Sequence, residues 1–309
     1  MRFNRLDLNL LTALDVLLTE RSVTRAAERL NLTPSAVSSA LARLRDYFDD
    51  ELLVQVGRKM EPTPRAEVLH EAVRDVLVRI DSTIAAKPAF DPAATDRTFR
   101  IFMSDYTQIV LMPHLLALAA QQRCCARCEL LPQVANPQRN LERGEADLLV
   151  IPRGFLSAEH PKEQLYDEGF VCVLWRDSAL AQGEFGFDRY AAAAHVVMQP
   201  PGTAGESFEG WLIRRHGISR HVAVQTYGFA MLPALVMGTE YVATVHARLA
   251  QLLAGCWPLA LREPPFPLEP MQQSMQWHKY RTQDPGLVWL RELMHLAVRR
   301  MDEPRPLDR

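Results

Sequence analysis

The residues with the clearest chemical purpose lie between Ser22 and Phe48, in the run SVTRAAERLNLTPSAVSSALARLRDYF. At about 100° per residue, Val37, Ala40, Leu41, Leu44 and Phe48 fall on one apolar stripe. Ser35, Ser38, Ser39 and Ala42 fall on the opposite side, all of them small, with Arg43 and Arg45 flanking them. A helix with so thin an outer face can enter a major groove, where serine hydroxyls meet base edges or phosphates. The arginines would hold the adjoining backbone. Charge favours that reading over a merely polar hairpin, because Arg21 to Arg45 contains five arginines and one acid, Glu28. The whole chain has a net charge of −2, so any affinity for DNA must be local.

Two helices and a turn position these groups. Val23, Ala26, Ala27 and Leu30 mark a first helix that Ser22 can cap. Asn31 and Leu32 interrupt it. Thr33 then caps a second helix, with Pro34 at the first position, where no N–H is needed. The pattern predicts a DNA-binding helix-turn-helix with Thr33, Ser35, Ser38, Ser39, Arg43 and Arg45 as its contacts. Asp7 to Glu20 predicts a third helix that buries Leu10, Leu11, Leu14, Leu17 and Leu18. Leu52–Val56 and Lys59–Glu61 read as strands around Gly57-Arg58. At that tip Arg58 and Lys59 either touch phosphates as a wing or stand solvated, and the residues leave both readings open.

Thr63-Pro64 repeats the cap-then-proline signal and begins a helix that Lys87-Pro88 ends. Along it Leu69, Val73, Val76 and Ile80 form a seam at coiled-coil spacing. The seam needs a partner. A second copy would give a homodimer or homotetramer pairing recognition helices on double-stranded DNA; the alternative is the chain's own domains. Pro88 to Asp96 reads as a linker.

Beyond it, strands are expected at 99–103, 127–131, 147–151, 170–175, 196–198, 222–225 and 241–245. Helices are expected at 107–122, 138–143, 207–216, 229–237 and 247–253. The alternation predicts α/β architecture with largely parallel sheets. Residues 271–278 and a helix over 286–300 return late, as two lobes joined by two crossovers would require. A small-molecule effector would bind between the lobes, at the carboxyl ends of strands. The strand-end candidates are Ser104, Thr107, Pro152, Gly202, Thr203, Tyr227, Phe229, Thr244 and His246. Ser104 and Thr107, at a helix start, suit a carboxylate or phenolate oxygen. Gly202-Thr203 would present N–H groups, and Tyr227 with Phe229 would sandwich an aromatic ring. Arg248 either binds an acidic effector or braces the two lobes.

A length of 309 residues suggests more than one domain, and 48% apolar content is ample for buried cores. The first residues lack a signal-peptide pattern, no apolar run reaches membrane-spanning length, and five cysteines fit a reducing cytoplasm. Cys124, Cys125 and Cys128 place a Cys-x-x-Cys spacing at a helix-to-strand turn without a second ligand pair. Structural thiols are the simpler reading, and a redox-responsive switch without an organic ligand is the alternative. Gly205 to Gly210 is one residue too long for a nucleophile elbow, and His70-Glu71 lacks a second histidine four residues on. No enzyme, cofactor or metal site is expected.

Specific runs carry a family resemblance. They are Leu6 to Leu11, Ser22 to Ala27, Leu32 to Ser38, Leu41 to Arg45 and Pro62 to Pro64 in the first part. In the second they are Phe90 to Pro92, Arg97 to Arg100, Arg143 to Asp147, Trp277 and Trp289 to Arg291. With these the chain resembles the LysR-type transcriptional regulators over essentially its whole length, and among them the branch of nodulation and salicylate-responsive regulators. The resemblance implies a winged helix-turn-helix domain at residues 1–62, a linker and dimerisation helix with hinge at 63–90, and a flexible tail at 301–309. Residues 91–300 would form a two-lobed, periplasmic-binding-protein-like effector domain, giving α/β architecture with an all-α N-terminal part. It also implies a cytoplasmic regulator controlled by a small molecule, aromatic in this branch, and an arginine at the position of Arg248. Where the family often has Gln-Pro after the threonine, this chain has Pro34-Ser35, which makes Ser35 the substitute contact.

Overall fold

Short side chains begin the N-terminal helices by taking up N–H groups that have no partner within the helix. In the computed structural model, which describes residues 7–57, 59–83, 89–132, 134, 136–199 and 207–303, Asp7 caps α1 (Leu8–Glu20) by accepting from Asn9 N. Ser22 caps α2 (Val23–Leu30), and Thr33 caps α3 (Pro34–Phe48). Left-handed residues Arg21, Asn31 and Asp49 end the three helices. Leu14, Leu17, Val37 and Leu44 are fully buried among them. Two short antiparallel strands, β1 (Leu53–Val56) and β2 (Lys59–Pro62), form the hairpin. Thr63 then accepts from Ala66 N at the start of α4 (Pro64–Thr83).

The seam on α4 does not lie on one face of contact. Val73 is buried in the N-terminal core, with Leu69 packed against it, whereas Val76 stays 43% exposed and Val68 73%. Val73 therefore serves its own chain, which corrects the expectation of a continuous dimer seam. The expected ending at Lys87-Pro88 lies outside the described residues.

The chain divides into two compact units, residues 1–86 with 142–144 and residues 87–141 with 145–309. The second unit contains β3 (Thr98–Met103), α5 (Asp105–Gln121), β4 (Arg127–Leu131), α6 (Pro137–Glu142), β5 (Leu148–Pro152), β6 (Lys162–Glu168), β7 (Phe170–Trp175), α7 (Phe187–Ala192) and β8 (Ala194–Met198). It continues with α8 (Phe208–Arg215), β9 (His221–Thr226), α9 (Leu232–Leu235), β10 (Tyr241–His246), α10 (Ala247–Ala254), β11 (Leu259–Arg262), β12 (Met271–Gln276) and α11 (Pro285–Asp302). Two five-stranded sheets form the two lobes, ordered β4-β3-β5-β12-β6 in lobe I and β11-β7-β10-β8-β9 in lobe II.

The chain crosses between lobes at Gly169 and again between β11 and β12. The sheets are mixed rather than largely parallel. β3 with β4 and β5, and β8 with β9 and β10, pair parallel. All pairings of β7 and β12 are antiparallel, because each begins a return from the other lobe. The expected helix at 229–237 shrinks to α9, which starts next to Pro233 and is followed by Gly238 at φ +73°. The lobe I frame is held by Arg97, bidentate on Asp284 at 2.5 and 2.9 Å, and by the rings of Phe90, Phe99 and Trp289.

Candidate nucleic-acid interface and effector cleft

The outer face of α3 has the composition expected of it. Ser35, Ser38, Ser39, Ala42 and Arg43 are exposed, opposite the buried Val37, Leu41, Leu44 and Phe48. Thr33 is occupied as the cap, and its hydroxyl lies 3.0 Å from that of Ser35. Ser39 donates back to Ser35 O at 3.0 Å. The two arginines differ. Arg43 is exposed, with Asp7 3.9 Å away. Arg45 donates to Glu51 O at 2.8 Å and Leu53 O at 2.9 Å, so it ties the hairpin to α3. These bonds use the Nε/Nη2 edge of the guanidinium, so the structure gives Arg45 a tie to the hairpin that the sequence did not show. Lys59 is exposed beside a depression of about 710 Å³ shared with Arg21, Ser22 and Arg25. Arg58 lies outside the described residues.

The second candidate site gathers at the first turn of α5. Ser104 caps the helix by accepting from Thr107 N at 3.2 Å, and the two hydroxyls lie 3.0 Å apart. Gln273, on the returning strand β12, donates to Thr107 Oγ1 at 3.1 Å and pairs in register with Pro152. Its Oε1 is buried with no hydrogen-bond partner among the described residues. Gly202 and Thr203 lie outside those residues.

Beside this turn the two lobes meet. Tyr106 lies flat on His246, ring centroids 3.7 Å apart and planes 4° apart. Its hydroxyl donates to Glu168 at 2.6 Å. Burial raises the Tyr106 hydroxyl well above its usual range, and the nearby Tyr166 and Glu168 add to this. Burial alone lowers His246 to about 3, so the ring is neutral, and its Nδ1 has no partner among the described residues.

From His246 a row of rings continues outward. Phe170 lies 5.3 Å from His246, Phe208 6.4 Å from Phe170, and Phe155 of the other lobe 6.3 Å from Phe208. Tyr227 and Phe229 do not form the expected sandwich. Tyr227 is 75% exposed, whereas Phe229 is buried with its ring edge-on to His246 at 4.6 Å. Thr244 is also buried, its hydroxyl 3.1 Å from that of Tyr190.

Arg248 takes the bracing role. Its backbone N–H and Nη1 reach the wholly buried Glu168 at 3.1 and 3.0 Å, and Nη2 reaches Asp302 at 2.8 Å. It borders a depression of about 420 Å³ with Val110, His114 and Leu252. Its Nη1 and Nη2 atoms are engaged in this brace by Asp167 O, Glu168 and Asp302.

The sequence reading missed Asp105, Tyr106, Phe155, Glu168, Phe208 and Gln273. Asp105-Tyr106 sits between two residues it named, and Glu168 adjoins the crossover glycine; the others gave no local signal.

The thiols do not favour the switch reading. Cys125 is exposed and its Sγ lies 3.3 Å from Ala93 O, while burial and then the neighbouring Cys124 push the Cys128 thiol up, away from the reactive thiolate. Among the described residues no group of three side chains could hold a metal, and no helix is long and apolar enough to cross a membrane.

Residues 8–67 match the bacterial regulatory helix-turn-helix family of LysR type, and residues 93–298 match the LysR substrate-binding domain. Nodulation protein D 1 of Rhizobium leguminosarum bv. phaseoli is 39% identical over 100% of this chain and 98% of its own. Nodulation protein D 2 of Rhizobium tropici is 40% identical over 99% and 97%. A solved structure described as a probable transcriptional regulator of Pseudomonas aeruginosa is 30% identical, with a TM-score of 0.64 over 94% of this chain and 97% of that one. A full-length OxyR variant from the same organism shares the fold at 16% identity, with a TM-score of 0.71 over 98% and 99%. The chain belongs to the LysR family: it is a transcriptional regulator with an effector-binding domain, and not an enzyme.

Proposed function

We propose that this regulator binds double-stranded DNA as a homodimer or homotetramer in the cytoplasm, and that an uncharged, hydroxylated aromatic molecule between its lobes controls it. Residues 1–62 would bind DNA, 63–90 would join copies and 91–300 would bind the effector; the tail expected at 301–309 cannot begin at 301, because α11 runs to Asp302 and Asp302 accepts from Arg248. Ser35, Ser38 and Ser39 would meet the groove, with Arg43 and Lys59 on phosphates. The uncharged groups at the proposed effector side of the α5 turn carry the ligand reading. Ser104, Thr107 and Gln273 offer hydroxyls and an unpaired amide oxygen, His246 is neutral, and Arg248 is paired with Glu168 and Asp302. A phenolic hydroxyl could donate to Gln273 Oε1, whereas a carboxylate would enter without a counter-charge. The rings of Phe155, Phe170 and Phe208 suit a planar partner.

Calorimetry on the full chain tests this against polyphenols, aromatic carboxylates and aliphatic acids. Binding by polyphenols is expected, with Phe208→Ala weakening it about 2- to 12-fold, the span that one ring contact is worth. Binding confined to the acids would overturn the proposal.

A further inference from the structure

The first turn of α5 has two sides. Ser104 and Thr107, three residues apart, share the side proposed for the effector, and Asp105 between them reaches the other lobe. We infer that Asp105 is the positioning residue that links effector occupancy to the second lobe; the inference rests on the reading above. The Asp105 carboxylate spans the lobes, accepting from Phe229 N at 3.1 Å through Oδ1 and from Ala230 N at 2.9 Å through Oδ2.

Two successive backbone N–H groups on one carboxylate fix both its distance and its angle. They are hydrogen bonds to a charged acceptor, the stronger kind. The fit is close enough to restrict the sequence: a Cβ on Gly228 would lie 2.7 Å from Asp105 Oδ2. Phe229 in turn packs edge-on against His246, and His246 carries the Tyr106 ring on its face. A ligand that shifts the backbone of residues 104–107 must therefore move the 228–230 segment of the other lobe as well.

Hydrogen exchange on the full chain without any ligand tests the link, read by mass spectrometry on peptides covering 226–232 and 241–246. Asp105→Ala and Gly228→Ala should each speed exchange at Phe229 and Ala230 by about tenfold or more, the factor matching lost bonds to a charged group. Asp105→Asn, which keeps one acceptor, should give a smaller rise. Strand β10 should exchange as in the wild type throughout. Ser104→Ala, which removes the cap across the same turn, should speed Phe229 and Ala230 by a few-fold without touching β10.

Wild-type protection at Phe229 and Ala230 in Asp105→Ala would overturn the inference. So would an equal rise across β10, which would make Asp105 a plain scaffold residue. An unchanged rate in Ser104→Ala would remove the coupling. Because no ligand enters these measurements, their failure is distinct from a failure of the calorimetric panel.

Discussion

Replacing Arg248 by alanine separates a brace from a ligand contact. Glu168 is 0% exposed and accepts from Arg248 N, Arg248 Nη1 and Tyr106 Oη. Without the guanidinium a buried carboxylate keeps only the backbone N–H and the phenol. Breaking a buried ion pair from one side costs about 3–5 kcal/mol. The guanidinium is 28% exposed, which puts the cost at the low end, about 3 kcal/mol. The contact with Asp302, itself 49% exposed, adds no more than about 0–1 kcal/mol. For a domain of this size that total lowers Tm by roughly 6–16 °C. Differential scanning calorimetry of the full chain, free of ligand, reads the shift. Glu168→Gln in the same chain should recover most of it, since a neutral amide needs no cation, giving a coupling of about 2 kcal/mol in the double-mutant cycle. A ligand-free Tm within about 1 °C of the wild type, alongside lost effector binding, would refute the brace.

On α4, Val73→Glu should unfold the N-terminal unit by about 3 kcal/mol or more, because it buries an unpaired charge. Val76→Glu should leave Tm nearly unchanged and lower the mass seen in sedimentation if the exposed face joins two copies. On DNA, Arg43→Ala should reduce the salt slope of binding by about one, whereas Ser38→Ala should relax sequence preference by about 1–3 kcal/mol. Arg45→Ala should weaken all DNA binding and also cost about 1–2 kcal/mol of stability through the loosened hairpin, measured by urea unfolding. His246 titrates at about 3 when folded against 6.5 when free, so the unfolded chain takes up a proton that the folded one refuses. Stability is therefore full above pH 6.5 and falls as pH drops toward 3, by about 2 kcal/mol at pH 5 from this ring. His246→Phe, compared with the wild type by urea midpoints at pH 5 and 8, should flatten that slope.

The amino-acid sequence by itself determined the N-terminal part almost completely. Caps at Asp7, Ser22 and Thr33, a proline at the first position of α3, and apolar residues at helical spacing are local signals, and each acts within one or two turns. They placed the three helices, the serine face and the hairpin. Residues carrying the family resemblance in the second part, among them Arg97, Phe99, Asp147 and Trp289, turned out to frame lobe I rather than to line the cleft.

Strand β6, KEQLYDE, carried no apolar run and was missed, because it is an edge strand whose partner β12 lies about a hundred residues on. The distant partners of the candidate effector site were illegible for the same reason. Gln273 meets Thr107 across 166 residues, and Asp105 meets Phe229 across 124. Arg45, Val73 and Arg248 were legible as residues but not as roles. A guanidinium or a branched apolar side chain says what it can contact, and only the folded chain decides whether hairpin, core or Glu168 reaches it before DNA, a second copy or a ligand does.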